Sequence, residues 1–91
     1  MLIPDDFSVA IDEFLSVRLA GASGTGDRFL MVGRPVDGLV RVREWTARSY
    51  NTAGEDFDVD PVDLLADIET VYAAGLSVMP EMYQIRRWLG S

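Results

Sequence analysis

A chain of 91 residues has room for one hydrophobic core and not for two. Its 48% apolar and 25% charged residues are the mix of a folded globular domain and exclude a disordered one. A net charge of −7 disfavours direct binding to nucleic acid or to an anionic membrane, both of which repel it.

The chain starts Met1-Leu2-Ile3-Pro4-Asp5-Asp6, with no basic stretch ahead of a long apolar one. No secretory signal is expected, and the protein is placed in the cytoplasm. Pro4-Asp5-Asp6 can cap a helix. Phe7, Ala10, Ile11, Phe14 and Leu15 then follow helical spacing, so a helix is predicted over residues 5–20, stopped by Gly21. Gly21-Ala22-Ser23-Gly24-Thr25-Gly26-Asp27 is a connector. It lacks the Lys of a phosphate-binding loop and does not follow a strand, so it is read as plain loop.

Phe29-Leu30-Met31-Val32 is a short continuous apolar run, suited to a strand buried on both faces. A turn at residues 34–38, punctuated by Asp37-Gly38, leads into a second strand from Leu39 to about Tyr50. After a turn at 51–55, Asp56-Phe57-Asp58-Val59 alternates as a third strand. Asp60-Pro61 starts a helix with the stripe Leu64, Leu65, Ile68, Val71 and Tyr72, ended by Gly75. Leu76–Met79 connects it to a last short helix starting near Pro80, with Met82, Ile85 and Leu89 inward. The expected fold is one two-layer α+β domain over residues 1–91, in the order α-β-β-β-α-α. A three-stranded antiparallel meander packs against the helices.

Closing the first turn over 35–38 pairs Met31 with Val42 and Leu30 with Arg43. One face then collects Phe29, Met31, Val40, Val42, Tyr50, Phe57 and Val59 as the core side. The other collects Leu30, Val32, Arg41, Arg43, Trp45, Asp56 and Asp58, a mixture of aromatic, aliphatic and arginine typical of contact surfaces. Leu30, Val32, Arg41, Arg43 and Trp45 are therefore the expected protein-binding residues. Replacing Trp45 and Arg43 is expected to abolish association and to leave the melting curve nearly unchanged. A slip of one residue would exchange the faces.

The chemical inventory is narrow. The chain has no Cys, no His and no Lys; all eight basic residues are Arg. Thiolate, imidazole and Schiff-base chemistry are excluded, leaving carboxylate catalysis, which needs a cleft. No enzyme activity, cofactor or metal is expected. Asp56, Asp58 and Asp60 resemble the opening of a calcium-binding loop, but positions six and twelve hold Pro61 and Asp67 where Gly and Glu are required. With Asp63, Asp67 and Glu69 they form an acidic surface that serves solubility or imitates a phosphate backbone. Met82–Leu89 pairs Arg86 and Arg87 with Tyr83 and Trp88; it could stack on nucleotide bases, bind an acidic peptide or simply pack, and packing is favoured. The leading expectation is a non-catalytic adaptor, regulatory or self-associating module with a protein partner. The alternative is an acidic inhibitor or nucleic-acid mimic aimed at a nucleic-acid-binding protein, of the kind phages and mobile elements encode.

Overall fold

The computed structural model describes residues 14–21, 26–46 and 54–90. Its elements are β1 (Phe14–Leu19), β2 (Arg28–Gly33), β3 (Val40–Thr46), β4 (Glu55–Val59), α1 (Pro61–Ala73), β5 (Val78–Met79) and α2 (Met82–Gly90). The class is α+β, and the sheet has five antiparallel strands in the order β4-β3-β2-β1-β5. The expected three-stranded meander, β2-β3-β4, forms one end of it. Two further strands extend it on the β1 side.

The largest departure is the first element. Phe14–Leu19, expected as the end of a helix over 5–20, is strand β1; residues 5–13 lie outside the described set. Leu15, Val17 and Leu19 alternate with Ser16 and Arg18, which fits a strand with one buried face. Burial of β2 on both faces selects this outcome, because its backbone must be paired on both edges. The connector before α2 likewise holds β5, which pairs Val78 with Leu19 and Met79 with Arg18.

The β2–β3 register also differs from expectation. Met31 lies opposite Arg43, Leu30 opposite Glu44 and Val32 opposite Val42. Asp37 and Gly38 both have positive φ (53° and 80°), the geometry of a two-residue hairpin turn, with Val36 and Leu39 exchanging both backbone hydrogen bonds. Between Val36↔Leu39 and Val32↔Val42, β2 carries one more residue than β3. This bulge includes Pro35, which has no N–H to give to a ladder. It turns β2 over relative to β3, so Leu30 and Val32 face the helices while Phe29 and Met31 face away. β3 pairs with β4 through Val40↔Val59, Arg41↔Asp58 and Arg43↔Asp56. Phe57, expected on the core face with Tyr50, lies opposite Val42; residues 47–53 lie outside the described set.

The helices form as their sequences predict. The Asp60 side chain accepts from Val62 N at 2.8 Å, and Pro61 opens the first turn. Leu64 and Ile68 of α1, and Met82, Ile85 and Leu89 of α2, bury against Val17, Leu19, Leu30, Val32, Val40 and Val42. Tyr72, expected in the stripe, is exposed. Arg86 reaches Glu69 at 3.1 Å and ties the helices together; Arg28 at the sheet end bridges Glu44 and Asp67. Among the described residues, no helix is long and apolar enough to cross a membrane.

The face turned away from the helices is also packed. Phe14, Met31 and Trp45 form a second buried cluster, with Phe29 against it. Gly54, at φ 81°, lies directly on the Trp45 indole.

Candidate functional site

Arg41, Arg43 and Trp45 do share a face, as alternation along β3 requires, and Leu30 and Val32 lie on the other. This face is not an open contact surface. Trp45 is 2% exposed and Arg43 6%. Arg43 is held by a bidentate pair with Asp56: its Nε donates to Oδ1 and its Nη2 to Oδ2, the latter at 2.7 Å. Beside it Arg41 Nε donates to Asp58 Oδ1 at 2.5 Å, and Nη2 to Oδ2 at 3.3 Å. The two pairs form a cross-strand ladder of charge.

The acidic surface is therefore largely engaged. Asp56 and Asp58 belong to the ladder, Asp60 caps α1 and Asp67 binds Arg28. Asp63 is exposed in the first turn of α1, where its charge suits the helix dipole. Among the described residues, no group of three or more carboxylates is placed to hold a metal ion.

Both ladder carboxyls titrate below the usual carboxylate range, Asp56 because Arg43 donates to it and Asp58 because Arg41 does. As pH falls, the unfolded chain therefore takes up protons before the folded one. The pairs support the fold above about pH 4, and that support is lost as pH drops through the folded-state values. The melting temperature should fall below about pH 4. The Asp56→Asn/Asp58→Asn variant should melt lower at neutral pH and show a shallower acid slope. An acid slope identical to that of the parent would mean that other groups set it.

A concave surface lies on the opposite edge of the sheet, between β1 and α2. One cavity of about 520 Å³ is lined by Leu15, Ser16, Arg34, Pro80, Gln84, Arg87 and Trp88. A second, of about 350 Å³, adjoins it through Ser16 and Pro80 and adds Arg18, Phe29 and Met79. Local structure places each group. Arg34 leaves β2 at the bulge, and α2 brings Gln84, Arg87 and Trp88 to the same side. Trp88 Nε1 donates to Gly33 O at 2.9 Å, fixing the indole against the end of β2. The Arg34 guanidinium lies 3.8 Å from the centre of that ring.

The electrostatics of this groove run against the rest of the molecule. Among the described residues, no carboxylate lines either cavity. Arg18, Arg28, Arg41, Arg43 and Arg86 each pair with a carboxylate, whereas the contact made by Arg34 is aromatic. A stacked guanidinium keeps its in-plane N–H donors for an anion.

Sequence reasoning had weighed base stacking and acidic-peptide binding for Arg86, Arg87 and Trp88 and had favoured packing. The signal it lacked was Arg34, 54 positions from Trp88, which only the folded chain brings to it. Comparison of the chain with protein-family models, with curated proteins and with solved structures returns no match.

Proposed function

We propose that the protein is a non-catalytic interaction module that docks a protein partner in the groove between β1 and α2. The observation that carries this is the groove itself: a cavity with no carboxylate among its described lining residues, holding Arg34 stacked on Trp88, in a chain of net charge −7. Its chemistry supports binding rather than turnover. Among the described lining residues, Ser16 is the one hydroxyl and no carboxylate accompanies it as a base. Arginine and tryptophan are the residues that most often anchor interfaces.

This relocates the interaction surface from the Arg41, Arg43 and Trp45 face, whose central side chains are buried. The mimic alternative draws less support, because Asp56, Asp58, Asp60 and Asp67 are occupied within the fold.

The test is site-directed photo-crosslinking of the full chain in its source cells. A photoreactive residue at Gln84, exposed at the groove, should give a defined adduct with another polypeptide. The same residue at Val62, exposed at the start of α1, should not. Equal labelling from both positions, or none from Gln84, would overturn the assignment.

A further inference from the structure

We infer that the occupant of the groove is a short extended segment of a partner protein, paired to the part of the β1 edge that β5 leaves uncovered and carrying a carboxylate that sits on Arg34. The inference rests on the groove being the docking surface, and it names the chemistry of what docks.

The backbone supplies the first half. β5 covers the outer edge of β1 only at Arg18 and Leu19. Pro80 follows, and having no N–H it cannot extend the ladder. Ala20 N donates to Ser77 O at 2.9 Å, which fixes the phase of β1: Ala20, Arg18 and Ser16 direct their N–H and C=O groups to this outer side. Arg18 is met by Met79. Opposite Ser16 the chain has already turned into Glu81 and α2. The Ser16 peptide groups thus face the groove, at the point where the two cavities join. An extended peptide laid there continues the line of β5 and satisfies them, the strand-addition mode of peptide recognition.

The side chains supply the second half. Leu15, Pro80, Phe29 and Met79 give apolar surface on either side of the strand line, suited to alternate apolar side chains of a peptide. At the α2 end stands Arg34, its face against Trp88 and its edge open to a carboxylate. The described lining residues carry arginine and no carboxylate, so an acidic segment is the complementary one.

Selection of a randomised hexapeptide library on the immobilised full chain tests this. Enriched peptides should carry Asp or Glu at one fixed position among apolar neighbours. Arg34→Glu should weaken the best of them about tenfold or more, as loss of a charge-assisted pair does. Gln84→Glu, which leaves the Trp88 stack untouched, should also weaken it. N-methylating the peptide amide that meets Ser16 should abolish binding while the carboxylate is still present. Enrichment without an acidic position, affinity indifferent to Arg34→Glu and Gln84→Glu, or tolerance of N-methylation at every amide would each overturn the proposal. So would a library that yields no binder, or a groove filled by a second copy, seen as a dimer that Arg34→Glu dissociates. In each of these cases a Gln84 crosslink to another polypeptide would still uphold the docking surface, so the two ideas fail separately.

Discussion

Replacing Trp45 with alanine is expected to cost about 3–5 kcal/mol of folding stability, the range for removing a large buried aromatic. The indole is 2% exposed and packs with Phe14 and Met31 on the face of the sheet away from the helices. Domains of this kind retain about 5–15 kcal/mol in total, so the variant should stand near its unfolding threshold at room temperature. Urea denaturation followed by circular dichroism measures the change. A loss under about 1 kcal/mol would show that this second cluster is not cohesive. The result would reverse the expectation from the strand pattern, in which Trp45 could be removed with the melting curve unchanged. Burial moves its expected role from association to stability.

The second large effect belongs to Gly54. A Cβ added there would sit 2.8 Å from Trp45 Cε2, 2.9 Å from its Nε1 and 3.1 Å from Arg43 Cγ. A buried indole cannot yield as a flexible chain end does. The residue also has φ 81°, which side chains disfavour by about 1–2 kcal/mol. Gly54→Ala should therefore destabilise by about 2–4 kcal/mol, strain and overpacking together. The two positions are coupled. In a Trp45→Ala background the same substitution should cost less, chiefly the backbone share of about 1–2 kcal/mol, with the Arg43 contact remaining. Strict additivity in this double-mutant cycle would disprove the contact.

Much of the fold was legible because it is local. Asp60-Pro61 carries both the cap and the first helical position of α1, and Asp37-Gly38 supplies the two positive φ angles of its turn. Met82, Ile85 and Leu89 needed only helical spacing to be placed inside. β1 was hidden because Phe14 and Leu15 also complete an i, i+3, i+4 series with Phe7, Ala10 and Ile11. The apolar run of β2 held the contrary signal. A strand buried on both faces is poorly placed at a sheet edge, and the expected meander left it there.

The faces illustrate a different limit. Arg41, Arg43 and Trp45 were grouped correctly, because period-2 alternation within one strand does not depend on its neighbours. Leu30 and Val32 were misassigned by the single extra residue at Arg34-Pro35, whose effect on register no local pattern announces. The groove was the least visible feature. It joins Ser16, Arg34, Pro80 and Trp88 from four separate parts of the chain.

The two edges of the sheet are unlike, and the difference limits how far strands can add. β4, the far edge, turns the backbone groups of Asp56 and Asp58 outward, and a second β4 laid against it would set aspartate beside aspartate. The near edge offers one peptide unit at Ser16 beside Pro80. A segment added there cannot be followed by another molecule at β4, so growth stops after a single step. Head-to-tail propagation into a filament needs two mutually accepting edges, and the aspartates of β4 oppose it at one of them.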